Sequence, residues 1–219
     1  MVKIAQKLIV SMPYILEAMR LNIVNYSSLA RLLKEDLERI SGRKLSAGAA
    51  KVAVFRAAKS LLEDYTPPET FSRALRGSEL HVIDGLSVLA VETGEREALL
   101  EALSHVRGAK FLQAVHGVTA FTVIADEEVV SELLARVSSR SVLQYLRAQA
   151  AIILTGPPDI LVTPGIVSRL AMSLSSRGIN LTEVLSSYRD VIFVINRSDV
   201  GRALEILRSL LEVIGGTSR

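Results

Sequence analysis

The stretch LVTPGIVSRLAMSLSSRGINLTEV, residues 161 to 184, holds the residues of this chain best suited to meet a ligand. An apolar run ends at Thr163-Pro164-Gly165 and passes directly into an amphipathic segment. Thr163 is placed to cap a helix with its hydroxyl. Pro164, at the first helical position, gives up an N–H that would have had no partner. The N–H groups of Gly165, Ile166 and Val167 then point out of the helix end, where the helix dipole favours an anion such as a carboxylate. Gly165 has no side chain and lets a ligand approach the backbone. The chemistry this predicts is recognition of an α-amino-acid carboxylate. The alternative is a well-made strand-to-helix junction with no ligand at all.

A second constellation lies upstream, where cations gather on helical segments. Residues 1 to 65 carry 11 Lys and Arg against 6 Asp and Glu, whereas residues 66 to 219 carry 15 against 17. Such asymmetry is expected of a module that meets a polyanion, and equally of a solvated helical surface. If the helix that begins near Ser46 enters a major groove, Lys51, Arg56 and Lys59 can reach phosphates or bases. Arg43 and Lys44 on the preceding loop are then phosphate anchors. The competing reading is a helical dimerisation or docking module.

Other chemistry is missing. The chain has no cysteine, which removes disulfides, thiolate catalysis and Cys-ligated metal sites, and fits a cytoplasmic protein. His81, His105 and His116 lack metal-ligand spacing, and no nucleophile-elbow, dinucleotide or phosphate-loop motif occurs. No enzyme, cofactor or metal is therefore expected. Two apolar segments are too interrupted to span a membrane, the first by Pro13 and Glu17, the second by three prolines and Asp159.

The elements that must position these residues fall into two sets. Before EDYTPPETFSRALRGSE, residues 63 to 79, the patterns are helical only. One helix is expected over residues 3 to 20. A second, from Ser27 or Ser28, sets Leu29, Leu32, Leu33 and Leu37 on one side. A third starts at Ser46 and carries Val52, Val54, Phe55, Ala58, Leu61 and Leu62. Beyond the break, short β-branched runs alternate with amphipathic helices, twice over. Helix starts Glu95 and Pro164 lie 69 positions apart, and Glu128 and Val200 lie 72 apart, an internal repeat of about 70 residues. The repeat reads βαββαβ, with a final strand clear only in the first copy, and its two copies can extend one sheet or pack face to face. The expected fold is α+β: residues 1–65 a helical domain, 66–78 a linker, 79–147 and 148–215 two ferredoxin-like domains.

Two resemblances sharpen this. YSSLARLL with its following small-residue helix resembles the helix-turn-helix of winged-helix regulators, although the turn is longer than usual. The run from Gly156 through TPGIVSRLAMSLSSRGIN, LTEVLSS and VIFVINRSD resembles the ACT domain, in particular the copies that follow the kinase part of aspartokinases. That resemblance covers residues 149 to 214. It implies a regulatory module, usually for amino acids, that pairs with a second ACT domain, so a homodimer or larger homo-oligomer is expected. It also implies a ligand held by Thr163, Pro164, Gly165, Ile166 and Val167, with Asn180 and Leu181 of a paired domain opposite and Asp159 near the ammonium. The first copy departs from the pattern: Glu92, Glu95 and Glu97 surround its helix start and would repel an anion. It is read as a degenerate ACT-like domain. The function these readings suggest is a ligand-responsive DNA-binding transcriptional regulator. The alternative is a non-catalytic regulatory subunit that docks on an amino-acid biosynthetic enzyme.

Overall fold

Among the described residues four short helices, in place of the three expected, make up the N-terminal part: α1 Val2–Val10, α2 Pro13–Arg20, α3 Tyr26–Ser41 and α4 Ala47–Leu61. The helix expected over residues 3 to 20 is two, because Pro13 lacks the N–H needed to continue α1 and instead sits at the start of α2. Asn25 starts α3, its side-chain oxygen accepting from the N–H groups of Ser27 (3.0 Å) and Ser28 (3.1 Å). Gly42, at φ 68°, ends it in the left-handed conformation. Ser46 caps α4 by accepting from the Ala49 N–H at 3.1 Å. The computed structural model describes residues 1–62 and 68–216, and its contacts divide the chain into two units, Met1–Pro67 and Pro68–Arg219.

The first unit's core is built from Ala5, Ile9, Met19, Leu29, Leu33, Leu37, Ala50, Val54, Ala57 and Ala58. Three residues that the sequence pattern assigns inward point out: Leu32 is 63% exposed, Val52 50% and Phe55 53%. The inner stripe of α4 is instead Ala50, Ala53, Val54, Ala57 and Ala58, whose small side chains let α3 and α1 approach closely. The described residues of this unit contain no strand. The hairpin wing of a winged helix is therefore not among them.

The second unit begins with α5, Pro68–Leu75, where a connector was expected. Phe71, Ala74 and Leu75 of α5 are buried in the same core as Phe193 and Leu170, and that burial is what orders the segment. The remaining elements are β1 Glu79–Glu92, α6 Arg96–His105, β2 Leu112–His116, β3 Ala120–Asp126, α7 Glu127–Leu134, β4 Val142–Thr155, α8 Ile166–Ser175, β5 Leu181–Ser187, β6 Asp190–Asn196 and α9 Val200–Gly216. These six strands form one antiparallel sheet in the order β2-β3-β1-β4-β6-β5.

Two 14-residue strands, β1 and β4, run the length of both halves. On one side residues 86–92 of β1 pair with β3; on the other, residues 86–91 pair with 142–149 of β4, and Val88 faces Leu146. Residues 79–84 of β1 pair with 150–155 of β4, from Glu79 opposite Thr155 to Asp84 opposite Ala150. Each half thus has the four strands of a ferredoxin-like unit, but they are shared. The fourth strand of the second half comes from residues 79–84, ahead of the first copy, which explains why no such strand follows β6 in the sequence. The division at 147/148 accordingly falls within a continuous strand.

At the midpoint the register slips, with Gly85 at φ 77° and Ala148 at φ 53°. Such bulges bend a strand pair. Gln149, 4% exposed, clips this point: its amide N–H donates to the Arg147 carbonyl at 3.0 Å, and its oxygen accepts from the Thr182 hydroxyl at 2.9 Å.

Alternation along the strands buries both faces of the sheet. Val123 and Ala125 face α6 and α7 in one cluster; Val191, Phe193 and Ile195 face α8 and α9 in another. The opposite faces meet in a third cluster, Leu86, Val88, Phe111 and Ile124 of the first half with Ala151, Ile192 and Val194 of the second. The two copies therefore both extend one sheet and pack together. Glu183, opposite Val194 on the edge strand β5, has its carboxyl pushed above the usual range by burial. An acid raised in the folded state contributes stability below its unfolded pKa and loses it as pH rises through the folded value. Glu183→Gln is expected to gain on the native protein as pH rises from the ordinary carboxylate range toward neutrality, a difference that urea denaturation at both pH values would measure. Equal pH dependence of the two proteins would contradict it.

Candidate functional site

The chain leaves β4 through Gly156, whose N–H donates to the Arg189 carbonyl at 3.0 Å. A Cβ at Gly156 would stand 2.6 Å from Ile160 Cδ1 and 3.2 Å from Ile160 Cβ, so a side chain here would force Ile160 to give way. Gly156→Ala is expected to cost about 1–3 kcal/mol by overpacking, read from the denaturation midpoint. A 3₁₀ turn, Pro158–Leu161, follows and buries Ile160 against the α8 core.

Thr163 is buried, and its hydroxyl donates to the Asp159 carbonyl at 2.7 Å. It closes the loop and does not cap the helix. Nor is Pro164 the first helical residue: α8 begins at Ile166, and Gly165 takes the N-cap position at φ 86° with no side-chain cap. Proline one residue earlier and a left-handed glycine turn the chain into the helix more sharply than the sequence pattern suggests. Ser168 donates its hydroxyl to the Gly165 carbonyl at 3.0 Å, which leaves that hydroxyl on the first turn of α8.

Asp159 is paired with Arg73 of α5, Nε to Oδ2 3.2 Å, with both side chains half or more exposed. Its carboxylate already has a cation, and it is not among the residues that line the cleft described next. Beside it Arg169 lies over the Phe71 ring at 4.6 Å. Helix α5 therefore braces the loop from outside.

Facing the helix start is the β5–β6 hairpin. Together they enclose a cleft of about 360 Å³ lined by Ile160, Leu161, Thr163, Gly165, Ile166, Val167, Ser168, Ser186, Tyr188 and Val191. Its volume is in the range of small-ligand sites, and its lining is polar and apolar in like measure. Four of the expected ligand residues, Thr163, Gly165, Ile166 and Val167, line it; Pro164, between them in the chain, is exposed and does not. Asn180 and Leu181 lie at the other end of β5 from Ser186, so they are not part of this cleft within one chain. Ser168, Ser186 and Tyr188 are not singled out by the sequence pattern. Tyr188, in the tight turn at φ 51°, is 77% exposed and forms one wall.

In the first copy the corresponding junction is filled differently. Glu95 accepts from the Ser141 hydroxyl at 2.9 Å, and Glu97 is 3.6 Å from Arg96. Glu95 thus ties the junction to Ser141, while Glu97 is exposed beside its chain neighbour. Among the described residues no group of three or more histidines and acids is arranged to bind a metal ion, and no helix is long and apolar enough to cross a membrane.

Of the expected DNA contacts, Arg43, Lys44, Lys51, Arg56 and Lys59 are all exposed. They share the outer side of α4 and its preceding loop with Val52 and Phe55, so the surface mixes apolar side chains with basic ones.

The second unit is thus a mixed helix and sheet structure of ACT type, with a βαββαβ first half and a βαββα second half completed by residues 79–84, sharing one six-stranded antiparallel sheet. The regulatory subunit of aspartate kinase from Thermus thermophilus, in its ligand-free form, has this fold: 14% identity, 62% of this chain and 97% of that one, TM-score 0.51. Aspartate kinase from Synechocystis matches at 16% identity over 80% of this chain, TM-score 0.51. That of Clostridium acetobutylicum matches at 17% over 59%, TM-score 0.49. The match spans 33% of the length of each of these two kinases. No family model and no curated protein matches the sequence.

Proposed function

We propose that this chain is a regulatory protein that binds an amino acid or a similar small carboxylate in the cleft between the α8 start and the β5–β6 hairpin. The observation that carries the reading is the cleft itself. Backbone of the first α8 turn, at the positive end of the helix dipole, lines one hollow with Ser186 and Tyr188, whose surface is polar and apolar in like measure. A carboxylate placed there gains from the dipole, and a small side chain fits against Ile160, Ile166 and Val191.

Regulation would follow if the ligand binds one pairing of ACT-type units better than another, which is a coupling free energy between two sites. Of the two outputs considered, control of a biosynthetic enzyme by docking is better supported than control of transcription. The Thermus thermophilus protein of like fold is a regulatory subunit of a kinase, while the described residues of the helical unit lack a wing and mix apolar side chains into its basic face. A homo-oligomer formed through the ACT-type units is part of the proposal.

The test is a thermal-shift screen of the full chain against the standard amino acids and their biosynthetic precursors. A ligand at a hundredfold its Kd adds about 2.7 kcal/mol. A selective shift for one compound is the expected result. No shift with any of them would leave the cleft as a structural junction and end this reading.

A further inference from the structure

The α4 region has a composition unlike the rest of the first unit. From Gly42 to Leu61 there are five cations, Arg43, Lys44, Lys51, Arg56 and Lys59, and no acid. In their midst Val52 and Phe55, three apart and on neighbouring helical positions, are 50% and 53% exposed. Phe55 is not loose. Tyr26 meets its ring edge-on, centroids 5.3 Å apart and planes at 77°, which fixes the aromatic surface in place at little further entropy cost on binding.

We propose that this face of α4 binds an acidic amphipathic helix of a partner protein. Apolar residues of that helix at i, i+3 or i+4, and i+7 would cover Val52 and Phe55, and its flanking carboxylates would meet Lys51, Arg56 and Lys59. The charge of the face favours an acidic partner, because the five cations from Gly42 to Leu61 outnumber the neighbouring Glu38 carboxylate, which accepts from the Leu45 N–H, and repel a basic surface. The half-exposed apolar pair dictates its amphipathic character. A duplex would reward the cations through its phosphates, but a pre-ordered aromatic ringed by cations is the anatomy of a protein anchor with a polar rim. The inference rests on the regulatory reading only in supplying its docking surface, and its test needs no amino acid, so the two can fail separately.

The experiment pans a phage library of random peptides of about 16 residues, long enough for roughly four helical turns, on the full chain. Enriched sequences are then measured as labelled peptides by fluorescence anisotropy. Acidic, amphipathic sequences are expected, with affinity lowered about tenfold or more by Phe55→Ser and by Val52→Ser. Lys51→Ala with Lys59→Ala should weaken binding and reduce its salt dependence. Val52→Ser serves if Phe55→Ser disturbs the fold, which circular dichroism would reveal. The proposal is overturned by no enrichment, by enrichment of basic or uncharged peptides, or by peptides indifferent to both serine variants. It is equally overturned if a duplex of roughly 20 base pairs binds with a dependence on Lys51 and Lys59 and none on Phe55.

Discussion

Phe193→Ala is expected to lower the stability of the unit beginning at Pro68 by about 3–5 kcal/mol and its melting temperature by on the order of 10 °C. Phe193 has no exposed surface, stands in the inner strand β6 opposite Ile152 and Val184, and fills the space beneath α8 and α9. Truncation removes its apolar area and leaves a hole that the surrounding strands cannot close. The more informative outcome is the shape of the transition. Each half has its own helix-facing cluster, but β1 and β4 belong to both halves, and Leu86, Val88 and Ile124 pack with Ile192 and Val194 in a third cluster that joins them. Phe121→Ala, in the first half, should therefore shift the same single transition, seen by circular dichroism in guanidinium chloride. Shifts of two different transitions by the two variants would show that the halves fold independently, contrary to the strand sharing.

Gly165→Glu is expected to abolish the ligand response found in the thermal-shift screen. Gly165 adopts φ 86°, where an L side chain is strained, but the nearest atom to a Cβ there is Ser168 Oγ at 3.8 Å, so there is room. Any substitution thus costs about 1–2 kcal/mol in backbone strain, and glutamate adds a negative charge at the helix start. Gly165→Ala separates the two effects. It should lose that stability and keep the greater part of the response, while the glutamate variant loses the response altogether. Equal loss in both would assign Gly165 a conformational role only. An undiminished response in both would place the ligand elsewhere.

The legibility of the chain divides along physical lines. The repeat, strand-helix-strand-strand-helix at a spacing of about 70 residues, is readable because each element announces itself locally, by alternation or by helical periodicity. The helix starts are also readable to within a residue or two, as at Ser46 and Val200. The stripe of α4 is not. Val52 and Phe55 outrank alanine on any hydrophobic scale, yet close helix approach favours Ala50, Ala53, Ala57 and Ala58 inside. Likewise Thr163 has the residue type of a cap, but the loop before it curls back far enough for its hydroxyl to reach the Asp159 carbonyl.

What the sequence determined by itself is therefore the repeated strand-helix-strand-strand-helix order, a helix start near Pro164-Gly165 and the basic excess of the first 65 residues. Tertiary structure alone decided that residues 79–84 complete the second half, that Asp159 is held by Arg73, and that Ser186 and Tyr188 face the α8 start. The reason is the same in each case. Local patterns depend on neighbours within a few residues, whereas strand partners and cleft walls are chosen by contacts between segments far apart in the chain, of which a periodicity carries no record.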